Sequence, residues 1–360
     1  MTRKNKFSPG WHGSILAAFF LVLSQAAVVF TTSGKETLIF AVDIIRHGDR
    51  TPFNVIPTAP HDWAEGFGEL TATGITQEYQ LGEKWRALYI NKWHLLPPQY
   101  DAGTIYVRST DINRTLMSAQ SALLGLYPPG TGPTLPNGKP AAPDGIQPIP
   151  IHTVALEADD LLIADHDKVN YQRLLERDVF SSPEWKEKST ELEPKFAQWS
   201  AATGMEITNL AQLVSLADTV FIDQLYHVPL PAVIANDAQN IIDAGHWVFV
   251  ETYKPQEIGR ATGGALLKEI GNYFQTASEG KSSLKYVLFS AHDTTVLSAL
   301  SCLGKPLTVP PPYASDLSFA LFRTGQGNFR VEVRYNDQVV SLSSSGSDSI
   351  SLPDFLAIAQ

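Results

Sequence analysis

The segment Arg46–Pro52, which reads RHGDRTP, places one imidazole between two guanidinium groups. Arg46 and Arg50 flank His47, and the planar, permanently charged fork of arginine suits the oxygens of a phosphate group. Histidine can act as a nucleophile, and Gly48 is expected to let the backbone pass close to a ligand. The segment therefore predicts an anion held against His47.

Two later segments carry residues of the same kind. Arg114 stands in RSTDINRT, residues 108–115, at the start of a helical pattern. A cation in that position opposes the helix dipole unless an anion lies nearby. His292 and Asp293 stand in SAHDTTV, residues 290–296, and add a second imidazole and a carboxylate. We expect the three segments to meet at one site.

Each of these segments follows a short apolar run, and the runs are Leu38–Ile45, Ile105–Val107 and Tyr286–Phe289. Apolar runs rich in β-branched residues are typical of strands that are covered on both faces. The second and third runs lead into helical patterns, and such corners gather at the carboxyl ends of the strands in open α/β sheets. The sequence predicts an α/β fold with a mainly parallel sheet and helices on both faces.

A proline- and glycine-rich stretch from 128 to 150 interrupts this alternation, and a more helical, charged region follows it. We therefore expect an α/β catalytic core in residues 37–149 and 256–360, with an inserted, mainly α-helical cap subdomain in residues 150–255. The segment GRATGG, residues 259–264, is interpreted as a turn before a helix over 265–274.

The three segments together resemble the histidine acid phosphatase family, branch 2 of the histidine phosphatase superfamily. The resemblance runs from about residue 38 to the C terminus and includes GFGELTATG at 66–74, QPIPIHTV at 147–154 and PPYAS at 311–315. It implies a phosphoglycerate-mutase-like core and an acid phosphatase, a phosphoric monoester hydrolase that works through a phosphohistidine intermediate.

The resemblance also implies roles for individual residues. His47 corresponds to the nucleophile and Asp293 to the proton donor, in agreement with the need of a leaving alkoxide for a proton. The phosphate oxygens would be bound by Arg46, Arg50, Arg114 and His292. Positive charges around His47 should disfavour its protonated form, which would keep the imidazole neutral in acid.

Two alternatives remain open at this point. Phytases share the nucleophile motif, so a phytase-type phosphatase is the alternative enzyme. A catalytically silent phosphate-binding or interaction protein is the alternative of a different class, although relatives of that kind usually lose the nucleophile or the acid, and His47 and Asp293 are both present. A mutase, the third option, is disfavoured by the expected export.

Composition excludes other classes of function. The formal net charge is −10, which argues against a nucleic-acid partner. The sequence contains no HExxH and no CxxC motif, so no metal and no cofactor are expected. Among the remaining residues, His152 and His246 are interpreted as structural, and Arg108 is expected to form an ion pair behind the phosphate site.

The N-terminal residues predict export. Three basic residues precede an apolar run from Ile15 to Leu23, which is too short for a comfortable membrane span, and the pattern is typical of a signal peptide over residues 1–26. We expect a periplasmic or secreted protein without a stable membrane anchor. Cys302 is the only cysteine, so no intrachain disulfide can form, and this favours a bacterial source. A homodimer is expected from the resemblance alone.

Overall fold

The computed structural model describes residues 35–360, so the predicted signal peptide lies outside the described residues. This part of the chain contains one seven-stranded sheet. Its strands are β1 (Thr37–Arg46), β2 (Ile105–Ser109), β3 (Tyr286–Ala291), β4 (Asp316–Arg323), β5 (Phe329–Tyr335), β6 (Gln338–Val339) and β7 (Ser349–Ser351). The three strands predicted from apolar runs are all present, and each is longer than its run.

The strand order is β2-β3-β1-β4-β5-β6, with β7 paired to β5. The core strands β2, β3 and β1 are parallel, whereas β4 pairs with β1 in the antiparallel sense and begins an antiparallel extension. The turn of residues 324–328 is too short for a crossover, so β5 must run antiparallel to β4. The carboxyl ends of the three parallel strands consequently share one edge of the sheet.

The described residues also form nine α-helices, and short π-helical turns at Arg86–Lys92 and Glu176–Phe180 continue the first and third of them. The helices are α1 (Ala72–Trp85), α2 (Asn113–Leu126), α3 (Lys168–Leu175), α4 (Pro183–Thr203), α5 (Leu210–Leu225), α6 (Ala232–Glu251), α7 (Gln256–Ser278), α8 (Asp293–Cys302) and α9 (Leu352–Ile358). No helix within residues 35–360 combines the length and the apolar character needed to cross a membrane.

Helices cover both faces of the sheet. Phe40, Val42 and Ile44 of β1 belong to an apolar cluster with α7, α8 and α9, whereas Ala41 and Ile45 belong to a second cluster with α1 and α2. This division follows from the alternation of side chains along a strand. The predicted fold class, an α/β core with helices on both faces, is confirmed.

Helices α3 to α6 pack around a third apolar cluster. Trp185 and Trp199 of α4 are buried in it, together with residues of α5 and α6 such as Leu213 and Ile241. The cluster also contains Ile56, Ile258 of α7 and Leu297 of α8, so the core of the helical region continues into the α/β part of the chain. The boundaries 150 and 255 of an inserted subdomain stay a prediction.

The interpretation of residues 259–264 as a turn was wrong, because they lie inside α7. A Cβ atom on Gly259 would stand 2.4 Å from the backbone nitrogen of Cys302, and one on Gly263 would stand 2.7 Å from the carbonyl carbon of Ser298. Both glycines therefore face α8 and let the two helices approach closely. Close packing outweighs the cost of about 1 kcal/mol for a glycine within a helix.

Candidate active site

The loop that carries the histidine motif begins at the carboxyl end of β1 and is held by hydrogen bonds to other elements. Thr71, which caps the N terminus of α1, donates from its hydroxyl to Oδ1 of Asp49 at 2.6 Å. The hydroxyl of Tyr226 donates to the same carboxylate oxygen. These contacts anchor the loop from two sides, so its side chains project from a fixed backbone.

Gly48 has a different role from the one expected. A Cβ atom on Gly48 would stand 2.5 Å from the carbonyl oxygen of Gly74 and 2.7 Å from its Cα. The space that the sequence interpretation assigned to a ligand is occupied by the first turn of α1. Gly48 is needed because the loop and this helix touch backbone to backbone.

All six residues that the sequence predicted for the site line one cavity of about 820 Å³. They reach it from three strand ends, since the loops after β1 and β3 and the start of α2 meet at the same edge of the sheet. The rings of His47 and His292 lie edge to face with their centroids 5.7 Å apart. The residues are His47, Asp293, Arg46, Arg50, Arg114 and His292.

The imidazole of His47 is oriented by its own loop. Its Nδ1 lies 2.9 Å from the carbonyl oxygen of Gly48, which can only accept a hydrogen bond. Nδ1 therefore carries the proton and Nε2 keeps a free lone pair. Burial lowers the pKa of His47 well below its usual value, and the positive charges of Arg46, Arg114 and Arg50 lower it further. The neutral state that we expected for His47 is therefore favoured mainly by burial and secondly by the surrounding positive charges.

Each of the three cavity arginines has one buried N–H group that makes no hydrogen bond within the described residues. The Nε atoms of Arg46, Arg50 and Arg114 are buried and have no hydrogen-bond partner within residues 35–360. A buried N–H without a partner costs about 1–3 kcal/mol. These Nε atoms have almost no accessible surface, so the three arginines present their terminal nitrogens, and not Nε, to a ligand in the cavity.

Asp293 is the first residue of α8 and faces Arg46, whose Nη2 lies 2.9 Å from its Oδ2. Burial works to raise the pKa of Asp293, but the charges of Arg46 and Arg50 outweigh it, and the pKa is lowered. The backbone N–H of Thr294 also donates to Oδ1 of Asp293 at 2.9 Å. This carboxyl group is therefore ionised near neutral pH.

His292 is fixed by a relay of hydroxyl groups. The hydroxyl of Thr115 donates to the carbonyl oxygen of Ile112 at 2.8 Å, so its oxygen accepts the bond of 2.7 Å from Thr110. The hydroxyl of Thr110 must then accept from Nε2 of His292 at 3.0 Å. Nε2 of His292 therefore carries a proton. Burial, followed by the charge of Arg114, lowers its pKa to about 3.

Sequence reasoning missed four residues that the structure brings to the cavity. His246, interpreted as structural, lines it together with Asp218, Phe53 and Tyr313. The guanidinium carbon of Arg46 lies 4.2 Å from the ring centre of Tyr313, and that of Arg50 lies 3.8 Å from the ring centre of Phe53. Phe53 directly follows the histidine motif and Tyr313 lies in PPYAS, so both carried a local signal.

Arg108 and His152 lie behind the site, as expected. Nη2 of Arg108 forms an ion pair with Oδ1 of the buried Asp159 at 2.5 Å. His152 pairs with β2 through its backbone, and its ring stacks on Tyr106 at a centroid distance of 5.0 Å. Within residues 35–360 no group of three or more His, Cys, Asp or Glu side chains is arranged to hold a metal ion. A reaction without metal or cofactor stays a prediction.

The sequence of residues 37–336 matches the profile of the histidine phosphatase superfamily (branch 2). This chain belongs to that family. The match spans both strand-to-helix corners and the histidine motif, so the family and the enzyme class expected from the sequence, a phosphoric monoester hydrolase, are confirmed.

Relatives among characterised proteins agree with this membership. The chain is 32% identical to the lysosomal acid phosphatase of Bos taurus over 337 residues, which cover 91% of the chain and 77% of the bovine protein. It is also 32% identical to the prostatic acid phosphatase of Homo sapiens over 313 residues, covering 84% and 78% of the two chains.

Solved structures share the fold of this branch 2 chain at low sequence identity. The phytase of Hafnia alvei in complex with tartrate matches with a TM-score of 0.65 at 16% identity, covering 90% of this chain and 96% of the phytase. The multiple inositol polyphosphate phosphatase of Bifidobacterium longum in complex with phosphate matches with a TM-score of 0.59 at 15% identity, covering 90% and 92%.

Proposed function

We propose that this chain is an acid phosphatase that hydrolyses phosphate monoesters through a phosphohistidine on Nε2 of His47. The observation that carries the proposal is the set of three guanidinium groups, those of Arg46, Arg50 and Arg114, that line one cavity with His47. A phosphoryl group offers acceptor oxygens and negative charge to these groups. The guanidinium charges would stabilise the negative charge that spreads over those oxygens in the transition state.

The first step forms the phosphoenzyme. The lone pair on Nε2 of His47 attacks phosphorus, the bond from phosphorus to the ester oxygen breaks, and the leaving oxygen takes a proton from Asp293. Because Nδ1 donates to the carbonyl oxygen of Gly48, the imidazole keeps its orientation while Nε2 reacts. The single N–H of neutral His292 is donated to Thr110, so His292 would bind a phosphoryl oxygen only after Nδ1 takes up a second proton, which the negative charge of the phosphoryl group favours.

Asp293 must be protonated to act as this donor, although its ion pair with Arg46 favours the ionised form. A bound phosphate group places negative charge beside Asp293 and competes for Arg46. Both effects favour the neutral carboxyl group, so substrate binding raises the pKa of Asp293. An acidic medium supplies the proton, which gives acid operation a physical cause.

The second step returns His47 to its starting state. The carboxylate of Asp293 accepts a proton from a water molecule, the water oxygen attacks phosphorus, and the bond between phosphorus and Nε2 breaks. Inorganic phosphate leaves, and Asp293 is protonated again for the next cycle.

The silent binding protein is the less well supported alternative, because His47 has a free Nε2 and Asp293 lies in the same cavity. A phytase-type reaction would use the same residues, and the leaving group decides between the two enzymes. We further propose that residues 1–26 direct export and that residues 150–255 form the cap. Relatives that are named lysosomal are consistent with export. A periplasmic or secreted location and a homodimer remain proposals.

Hydrolysis of 4-nitrophenyl phosphate by the purified chain, from acid to neutral pH, tests this function. We expect activity in acid, a phosphoenzyme that can be trapped by rapid quenching, and loss of both in His47→Ala. His61→Ala, at an exposed histidine, is the matched control. Turnover by the His47→Ala variant at the rate of the natural chain would contradict the mechanism, and an inactive natural chain would favour the binding protein.

A further inference from the structure

Most of the cavity lining is apolar. The loop before α3, the helices α5 and α6 and the loop after α8 supply it with aliphatic and aromatic side chains. These include Ile163, Val214, Phe221, Phe249 and Val309. Such a lining desolvates an apolar group well and offers few partners to a polar one.

The charged side chains that line the cavity include equal numbers of positive and negative groups. It consists of three arginines and three aspartates and contains no lysine or glutamate. The arginines are Arg46, Arg50 and Arg114, and the aspartates are Asp165, Asp218 and Asp293. The three histidines of the lining all have lowered pKa values and add no positive charge near neutrality.

Two of the three arginines form ion pairs with carboxylates of the cavity lining. Arg46 pairs with Asp293 at 2.9 Å, and Arg50 pairs with Asp218 at 2.8 Å. The positive charge that these pairs leave uncompensated, that of Arg114, is sufficient to bind one phosphoryl group. Asp165 forms no ion pair within residues 35–360, so a further anionic group in the cavity would meet an uncompensated carboxylate.

We propose that this site selects phosphate monoesters whose leaving group is uncharged and apolar, and that it discriminates against substrates with additional phosphate groups. The inference rests on the proposed function and specifies its substrate class. An aromatic or aliphatic alcohol packs against Phe221, Phe249 and Val309, whereas a polyphosphorylated ring finds no cation for its other phosphates.

A series of straight-chain alkyl phosphates tests the apolar contact, because the leaving-group pKa is nearly constant along it. We expect kcat/KM to rise about fourfold for each added methylene until the cavity is filled. Comparison of kcat/KM for naphthyl phosphate and phenyl phosphate extends the same test to aromatic leaving groups. Inositol hexakisphosphate, at equal concentration, should be hydrolysed at least about 100-fold less efficiently than octyl phosphate, as expected for unpaired buried charge.

Three variants locate the effect. Phe221→Ala and Val309→Ser should reduce the rise of kcat/KM along the alkyl series. Val309 is 66% exposed, so its replacement leaves the fold intact. Asp165→Lys should raise kcat/KM for inositol hexakisphosphate and leave methyl phosphate unchanged. Val233→Ala, at an exposed valine of α6 outside the cavity, is the control.

The possible results distinguish a failure of the proposed selectivity from a failure of the proposed function on which it rests. A flat alkyl series, or equal efficiency on inositol hexakisphosphate and octyl phosphate, would overturn the selectivity while methyl phosphate turnover preserves the phosphatase. Absence of turnover on every ester would overturn both. A rising series that is flattened in Val309→Ser but kept in Val233→Ala would support the inference.

Discussion

Asp218 of α5 forms a bidentate ion pair with Arg50 of the histidine loop, with Oδ1 2.8 Å from Nη2 and Oδ2 3.1 Å from Nη1. The pair joins the helical region to the loop after β1. It occupies the two terminal nitrogens of Arg50 and leaves the buried Nε as the donor without a partner in the described part of the chain. Asp218 therefore fixes the orientation of the Arg50 guanidinium group at the cavity, and we propose a positioning role for it.

Asp218→Asn should lower kcat/KM about 100-fold, because small displacements of a positioned group have effects of this size. The loss should appear in KM and in inhibition by vanadate, since the affected step is the binding of the phosphoryl group. Steady-state kinetics measures it. Asp243→Asn, at an exposed aspartate of α6, should change neither value, and unchanged kinetics in Asp218→Asn would remove the positioning role.

Asp293→Ala should impair esters with poor leaving groups far more than activated aryl esters. An alkoxide needs its proton in the transition state, and general acid catalysis contributes about 10²–10⁴-fold. The rates of alkyl phosphates should fall by that factor, while 4-nitrophenyl phosphate should lose much less. Asp111→Ala, at an exposed aspartate, is the matched control. Equal losses on the two classes of ester would contradict proton donation.

His47 should stay neutral far into the acid range, because burial and three guanidinium groups lower its pKa. An ordinary imidazole with a pKa of about 6.5 would be mostly protonated at pH 5. NMR titration of histidine-labelled protein measures this directly, with His47→Gln used to assign the resonance. We expect no titration of His47 between pH 7 and pH 5, and a midpoint near the ordinary value would refute the explanation of acid activity.

Glu78→Gln should stabilise the protein at neutral pH. Glu78 is fully buried beneath the sheet, and its carboxylate oxygens have no hydrogen-bond partner within residues 35–360. Burial, followed by the charge of Asp316, raises its pKa well above 4.5 in the folded chain. As the pH rises, the unfolded chain therefore loses this proton first, and the free energy of unfolding falls until the folded-state pKa is passed.

The size of this effect is ~1.4 kcal/mol for each unit by which the two pKa values differ. Glutamine does not ionise, so the gain should appear at pH 7 and vanish at pH 4. Urea unfolding at the two pH values measures it. Glu83→Gln, at an exposed position of the same helix, should have no such pH dependence, and an equal stability of Glu78→Gln and the natural chain at pH 7 would argue against the burial of an ionisable group.

Gly48→Ala should destabilise the protein and displace His47. The added Cβ would clash with the backbone of Gly74, and overpacking of this kind costs about 1–3 kcal/mol. The midpoint temperature of thermal unfolding and kcat should both decrease. Gly264→Ala is the control, since a Cβ on that helical glycine meets no atom within 4 Å and should raise stability by about 1 kcal/mol. Full activity of Gly48→Ala would contradict the close contact.

The grouping of the six site residues could be predicted from the sequence because they lie in three short segments that follow strands. His47 and its flanking arginines lie within seven consecutive residues, and His292 and Asp293 are neighbours. The apolar runs before these segments determine strands, and parallel strands bring their carboxyl ends together. Residue types and local periodicity are sufficient for such inferences.

Other features depend on contacts between distant parts of the chain, and only the tertiary structure decided them. Asp218 is 168 residues from Arg50, and His246 reaches the cavity from α6 without any local motif. The backbone contact of Gly48 with Gly74, which excludes a ligand from that space, likewise depends on how α1 packs. The ionisation of Asp293 depends on the distance to Arg46 and on burial. Spacing along a sequence does not specify these distances, because folding sets them through the packing of whole elements.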